Sequence, residues 1–125
     1  MSRGADPQGL GRVWESRAAA YLGSHGVRTI AQGYRCRLGE IDLIGDDGQD
    51  LVFVEVRARK HDSLGTALES VGAAKQRRII RATRHYLMRH PRAQARRIRF
   101  DVVAFDGIDT ADPTVTWVRN AFEAG

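Results

Sequence analysis

Two β-strands joined by a tight acidic turn are predicted from the stretch GEIDLIGDDGQDLVFVEVRARK, residues 39–60. Asp47 and Gly48 mark the turn, because a primed turn needs positive φ angles that Asp and Gly tolerate. The side chains of a strand alternate between its two faces. In the first strand one face is therefore predicted to carry Leu38, Glu40, Asp42 and Ile44, and the other face Ile41 and Leu43.

The second strand of this hairpin alternates between a mixed face and an apolar face. The mixed face carries Phe53, Glu55 and Arg57, and the apolar face carries Val52, Val54, Val56 and Ala58. With a suitable register, the hairpin places Asp42 beside Glu55 and Arg57. Two carboxylates and a cation on neighbouring strands outline a site for a divalent metal ion and a phosphate. The alternative is that they are outward-facing polar side chains of a half-solvated strand pair.

The composition is that of one globular domain. The chain has 125 residues, of which 42% are hydrophobic and 28% charged, and both values are ordinary for a soluble protein. We expect a flexible N-terminus over residues 1–10 and a single domain over residues 11–125. No apolar run approaches the roughly 20 residues that span a bilayer, and the N-terminus lacks the apolar core of a secretory signal. We therefore expect a cytoplasmic protein with no membrane insertion.

The positive charge is concentrated in one segment. Ten of the 20 Lys and Arg residues lie between Ser70 and Phe100, where there is no Asp or Glu, so the other ten share the rest of the chain with all 15 acidic residues. Such a segment favours a partner with a phosphate backbone. Arginine predominates and suits bidentate phosphate contacts, although a GC-rich genome explains that preference equally well.

The first helix is predicted from about Leu10 to Ser24, with Trp14, Ala18 and Tyr21 on its buried stripe. Glu15 lies at the edge of this stripe. The periodicity leaves two interpretations of Glu15: a half-buried carboxylate on the core side, or a solvated one paired with Arg12 or Arg17.

A basic helix is predicted from about Ala73 to His90, where Pro91 stops it. Its buried stripe comprises Ile79, Ile80, Thr83, Tyr86 and Leu87. A solvated charged face normally mixes both signs, and this helix contains no acid to offset the repulsion between its cations. We therefore expect a nucleic-acid-binding face made of Lys75, Gln76, Arg77, Arg78, Arg81 and Arg84.

The remaining segments complete an α/β pattern. Strands are predicted over residues 27–38 with a break near Gly33, over residues 99–105 and over residues 114–118, and a flexible basic loop over residues 57–65, with a short helical piece over residues 66–71. The order of helix, three strands, helix and two strands predicts an α/β sandwich with a mixed sheet. The basic helix then crosses over to bring residues 99–105 alongside the hairpin.

The chemistry of the hairpin residues fits phosphate hydrolysis. Mg²⁺ or Mn²⁺ prefers oxygen ligands such as the carboxylates of Asp42 and Glu55, and Glu40 is a further candidate. Arg57 is suited to hold a phosphate and to stabilise developing negative charge. Because a guanidinium group does not give up its proton in proteins, Arg57 is excluded as a general base.

Five blocks of the sequence resemble the YraN family of small bacterial proteins: GEIDLI, LVFVEVRAR, KQRRI, RFDVVAF and RNAF. That family is similar to the PD-(D/E)XK nucleases, which include restriction endonucleases and archaeal Holliday-junction resolvases. The resemblance implies a restriction-endonuclease-like αβββαβ core. It also implies that Asp42 and Glu55 are the metal-binding catalytic carboxylates, that Glu15 is the carboxylate of the first helix, and that Gln76 is a polar active-site position. Arg57 stands where the pattern has lysine.

These observations lead us to expect a metal-dependent, endonuclease-like protein that binds branched or nicked DNA and hydrolyses its phosphodiester bonds, with Mg²⁺ or Mn²⁺ as cofactor. Cutting both strands of a junction requires a homodimer. The alternative is a catalytically silent nucleic-acid-binding module that uses the basic helix, residues 73–90. A third role is the contact of the arginine face with an acidic protein partner.

Overall fold

The computed structural model describes residues 7–124, with side chains from residue 11 onward. The order of elements is α1 (Pro7–Gly23), β1 (Arg28–Cys36), β2 (Gly39–Asp46), β3 (Asp50–Arg59), α2 (Ala73–Arg89), a short 3₁₀ helix (Pro91–Ala95), β4 (Arg97–Asp106) and β5 (Thr114–Phe122). The flexibility expected of residues 1–10 stays a prediction, and residues 1–6 lie outside the described part of the chain. Helix α1 begins earlier than the predicted start near Leu10.

The five strands form one mixed sheet in the order β1-β2-β3-β4-β5. Strands β3 and β4 are parallel, and the other neighbours are antiparallel. The parallel pair requires a crossover connection, which α2 provides. The predicted α/β class and the αβββαβ order are confirmed, and β5 adds an antiparallel edge strand.

The two helices pack against opposite faces of the sheet. Trp14, Ala18 and Leu22 of α1 pack in a core with Leu43, Val52, Val54 and Val103. Ile79, Ala82 and Tyr86 of α2 pack in a second core with Ile44, Leu51, Phe53 and Phe100. Alternate residues of β3 thus enter different cores, as the period-two pattern predicts.

Helix α2 confirms its predicted limits to within a residue, because Pro91 cannot continue it. Ile79, Thr83 and Tyr86 are buried as expected, and Ala82 joins them. Ile80 and Leu87 lie only half-buried at the edge of the core. Neither helix of the described chain is long and apolar enough to cross a membrane.

The structure corrects several predicted limits. Strand β1 runs without interruption through Gly33, which has φ +71°, and its register shift lies earlier, between Thr29 and Ala31. Strand β3 extends to Arg59 and takes up the first residues of the predicted loop, because parallel pairing with β4 continues as far as Arg59↔Asp106. Strand β5 runs on to Phe122. Residues 66–71 form one hydrogen-bonded turn, in which Ser70 N–H donates to the carbonyl of Thr66.

The hairpin forms, but its turn and one strand face differ from the prediction. Within the turn, Gly48 has a positive φ of +94° and Asp47 does not. The carboxylate of Asp47 accepts hydrogen bonds from Gln49 N–H and Asp50 N–H. Ile44 does not share the face of Asp42. It packs in the α2 core together with Ile41, while Leu43 packs in the α1 core. Strict alternation therefore fails across Asp42.

Candidate functional site

The site is built where β2 and β3 separate. Their backbone pairing runs from Asp46↔Leu51 to Leu43↔Val54 and ends there. Beyond that point, Asp42 Oδ2 accepts a hydrogen bond from Val56 N–H at 2.8 Å. A side chain thus replaces the backbone acceptor, which fixes the Asp42 carboxylate in the gap next to Glu55.

Helix α1 contributes a third carboxylate, that of Glu15. The carboxylates of Glu15 and Asp42 lie close enough that the charge of Asp42 helps to raise the pKa of Glu15. Glu15 is half-buried and packs beside two glycines: a Cβ at Gly11 would lie 3.9 Å from Glu15 Oε2, and a Cβ at Gly33 would lie 4.0 Å from Oε1. The structure therefore favours the half-buried interpretation of Glu15.

The alternative partners of Glu15 do not reach it. Within residues 11–124, neither Arg12 nor Arg17 comes within 4 Å of a carboxylate. The Arg17 guanidinium lies over the ring of Trp14 instead, 4.6 Å from its centroid. The solvated helical pair predicted as the second interpretation is thus not formed.

Burial and mutual repulsion raise the pKa values of Glu15 and Glu55. The side chain of Glu55 is 3% exposed, and burial, followed by the charge of Asp42, raises its pKa to about 8 against the opposing effect of Lys75 and Arg57. The pKa of Glu15 rises to about 7 through burial, Asp42 and Glu40. Converging carboxylates with raised pKa values are typical of functional sites.

Two cations approach the same oxygen of Glu55. Arg57 Nη1 lies 3.7 Å from Glu55 Oε2, and Arg57 Nε donates to Ser70 Oγ at 3.2 Å. From the first turn of α2, Lys75 Nζ lies 3.6 Å from Glu55 Oε2. The predicted proximity of Asp42, Glu55 and Arg57 is therefore present.

Lys75 belongs to this site, whereas the sequence reasoning placed it only on the nucleic-acid face. The sequence contains one signal for this position of Lys75. The chain has just two lysines, Lys60 and Lys75, so Lys75 is one of two candidates to replace the lysine that the motif lacks.

These groups line an open cleft of about 1030 Å³. Its other walls come from α1 and β1, including Trp14, Gln32 and Arg35, and Glu40 also borders it. Gln76 is not one of its lining residues. The amide Nε2 of Gln76 donates to the carbonyl of Val71 at 2.9 Å, and so holds the chain that enters α2.

The donor chemistry of the cleft fits Mg²⁺ or Mn²⁺. Both ions take carboxylate oxygens, and a cation would relieve the repulsion that raises the pKa values of Glu15 and Glu55. Within residues 11–124, no three His, Cys, Asp or Glu side chains are already arranged to hold a metal ion.

The predicted basic surface divides into two parts. The arginines of α2 at positions 77, 78, 81 and 84 are exposed, and none has a carboxylate within 4 Å among residues 11–124. Further along, Arg96 pairs with Asp46, Arg97 with Asp50, and Arg99 with Asp47, Asp50 and Asp101. The exposed arginines of α2 thus carry charge that is unpaired within the described chain, whereas Arg96, Arg97 and Arg99 are paired with carboxylates.

Comparison with known proteins identifies relatives along nearly the whole chain. The model of a family described as "Uncharacterised protein family UPF0102" matches residues 14–105. A UPF0102 protein of Pseudomonas fluorescens is 44% identical over 117 residues, which cover 94% of this chain and 95% of the relative. One of Legionella pneumophila is 43% identical over 94% of this chain and 98% of its own. One of Alcanivorax borkumensis is 46% identical over 90% of each chain.

Proposed function

The chain belongs to the UPF0102 family, also called YraN, and we propose that it is a metal-dependent, endonuclease-like protein that hydrolyses phosphodiester bonds of DNA. One observation carries the proposal. Three carboxylates from α1, β2 and β3 converge in an open cleft, next to two cations that contact one of them. This donor set combines ligands for a divalent cation with groups that bind phosphate.

Asp42 and Glu55 are the proposed ligands of Mg²⁺ or Mn²⁺, with Glu15 beside them. When bound, such an ion polarises the phosphate and lowers the pKa of an attacking water. The chain supplies the orientation. Val56 N–H holds one oxygen of Asp42, so its other oxygen is free to face the cleft.

Arg57 and Lys75 have different proposed roles. Arg57, whose Nε is hydrogen-bonded to Ser70 Oγ, clamps the phosphate and offsets the charge that develops on it. Lys75, the second cation beside Glu55, takes the role of the motif lysine in this proposal.

The exposed arginines of α2 grip the DNA backbone beside the cleft in this proposal. Because each neutralised phosphate releases counterions, affinity is expected to fall steeply as the salt concentration rises. Branched or nicked DNA is the proposed substrate. A second copy of the chain is needed to cut both strands of a junction.

Cleavage of a labelled four-way junction and of a matched duplex, with and without Mg²⁺ or Mn²⁺, tests the proposal. The Glu55→Gln variant is the matched control, since it keeps the size of the side chain and removes its charge. We expect metal-dependent product from the wild type and none from the variant. No product from either protein, or equal product from both, would refute hydrolysis at this site.

A second candidate function is nucleic-acid binding without catalysis. It is favoured by Arg57 and Lys75, which place positive charge within 4 Å of Glu55 Oε2 without a metal. On this reading, Asp42→Asn and Glu55→Gln leave DNA binding unchanged or tighten it, and Mg²⁺ has no effect on affinity. A titration of labelled DNA with these variants distinguishes the two functions.

A further inference from the structure

A second pocket of about 410 Å³ lies beside the cleft, between the β1–β2 turn and the start of α2. Arg35, Glu40 and Lys75 line both cavities, so the pocket and the cleft are immediate neighbours. The other lining residues are Cys36, Arg37, Leu38, Gly39, Arg78 and Ile79. The sequence pattern gave no reason to single out the β1–β2 turn.

The pocket is fixed by close contact between the turn and the helix. The backbone of Gly39 packs so tightly against α2 that a Cβ there would lie 2.6 Å from the carbonyl oxygen of Arg78. On its other side the turn is closed by the pairing of Cys36 with Gly39. The backbone that carries Arg35 and Arg37 is therefore held close to α2, which carries Lys75 and Arg78.

The pocket carries a surplus of positive charge. Four cations line it, those of Arg35, Arg37, Lys75 and Arg78, against the single carboxylate of Glu40. Arg35 Nε lies 3.7 Å from Glu40 Oε1, and Lys75 pairs with Glu55. Within residues 11–124, Arg37 and Arg78 have no carboxylate within 4 Å. Two guanidinium groups thus remain for an anion.

We propose that this pocket binds the backbone phosphate of the DNA strand next to the phosphate held in the cleft. Guanidinium groups favour phosphate because they can donate two parallel hydrogen bonds to it. Because the two cavities share three lining residues, neighbouring phosphates of one strand can reach both. The inference rests on the proposed function, and it assigns to Arg37 and Arg78 the positioning of the strand relative to Asp42 and Glu55.

Cys36 provides a reporter inside the pocket. It is the single cysteine of the chain, it is half-buried, and it lines the pocket. Its alkylation by the neutral reagent iodoacetamide is measured in EDTA, so that no cleavage occurs. A single-stranded oligonucleotide at ten times its Kd should slow the reaction about tenfold, because only the free protein reacts.

Two double variants sharpen the test. Arg37→Gln with Arg78→Gln removes the free cations of the pocket, and Arg89→Gln with Arg92→Gln makes the same charge change at the other end of α2. The baseline rate of each protein is measured first without DNA. We expect the first variant to lose the protection and the second to keep it.

The outcomes separate the sources of phosphate and the two proposals. Full alkylation of oligonucleotide-bound wild type, with binding confirmed by fluorescence anisotropy, would overturn the assignment. Protection by millimolar inorganic phosphate but not by the oligonucleotide would overturn it in favour of a free-phosphate site. Protection in a protein that yields no metal-dependent cleavage product would uphold the pocket and refute only the hydrolysis.

Discussion

Arg57 and Lys75 reach the same carboxylate from two different elements, strand β3 and helix α2. Lys75 Nζ and Arg57 Nη1 lie 3.6 and 3.7 Å from the same oxygen of Glu55. Their charges are equal, but their shapes differ: Arg57 presents a planar fork of donors, and Lys75 presents a compact point charge on a flexible stem. In the proposed function, Lys75 therefore takes the role of the motif lysine.

Substitutions at Lys75 separate charge from proton transfer. We expect both Lys75→Gln and Lys75→Arg to slow metal-dependent cleavage by about 10²-fold, the usual effect of losing a proton-transfer group. Arg57→Lys keeps the charge and is expected to retain or increase activity. The rate is measured in single-turnover reactions with saturating DNA. Full activity in Lys75→Arg would show that Lys75 contributes only its charge.

The raised pKa of Glu55 makes stability depend on pH. Its pKa rises from 4.5 to about 8 in the fold, so between these values the folded state binds more protons than the unfolded state. The free energy of unfolding of the wild type therefore falls as pH rises through this window. Glu55→Gln carries no such charge, and we expect it to be more stable than the wild type by about 1–3 kcal/mol near pH 8.5.

Urea denaturation near pH 6 and pH 8.5 measures this difference. The exposed Glu123, replaced by Gln, is the control and should change stability equally at both pH values. Asp42, Glu15, Lys75 and Arg57 remain in place around position 55 in each protein. A stability difference between wild type and Glu55→Gln that shrinks as pH rises would contradict the raised pKa.

At the scale of elements, the sequence predicted most of the sheet and not the geometry of its functional end. Alternation in β3 and the stop at Pro91 are local signals, and both are confirmed. The predicted face of Ile44 was wrong, because the pairing of β2 and β3 ends at Leu43 and strict alternation fails beyond it. No local sequence pattern shows where two strands separate. The approach of Lys75 to Glu55 depends on the crossover path of α2, which spacing along the chain does not give.

The contact between the β1–β2 turn and α2 gives a prediction about Gly39. A methyl group there would lie 2.6 Å from the carbonyl oxygen of Arg78, so the turn must move away from the helix. We expect Gly39→Ala to lower the free energy of unfolding by about 1–3 kcal/mol, as overpacking does. Gly23→Ala is the control, since nothing lies within 4 Å of its added Cβ. Equal stability of both variants, measured by urea denaturation, would mean that the turn is not held against α2.

At the scale of the whole molecule, the fold separates two charged regions that the sequence joins. The segment from Ser70 to Phe100 has no acidic residue, yet its last arginines are neutralised. Parallel pairing places Asp50 opposite Arg97. At the same end of the sheet, Arg96 pairs with Asp46 and Arg99 pairs with Asp47 of the acidic hairpin turn. The sequence pattern favoured a phosphate-backbone partner for the whole segment, because these carboxylates lie about 50 residues earlier in the chain.

The ion pairs at the hairpin turn predict acid sensitivity. A hydrogen bond from Arg96 is the largest cause that lowers the pKa of Asp46, from 3.8 to about 2. A lowered folded pKa gives stability that is present above pH 3.8 and lost as pH falls toward 2. We expect Arg96→Gln to unfold at a higher pH than the wild type in an acid titration followed by circular dichroism. Arg92→Gln, which removes the same charge from the neighbouring 3₁₀ helix, should leave the midpoint unchanged.

The most direct test of the cation site is a calorimetric titration of Mn²⁺ into the protein near pH 6.5, in two buffers with different ionisation enthalpies. We expect the wild type to bind the ion and to release protons, because metal ligands must be deprotonated and the pKa values of Glu15 and Glu55 are raised to about 7 and about 8. Glu55→Gln and Asp42→Asn should lose this binding. Absence of binding in the wild type, or equal binding in all three proteins, would contradict a metal site at these carboxylates.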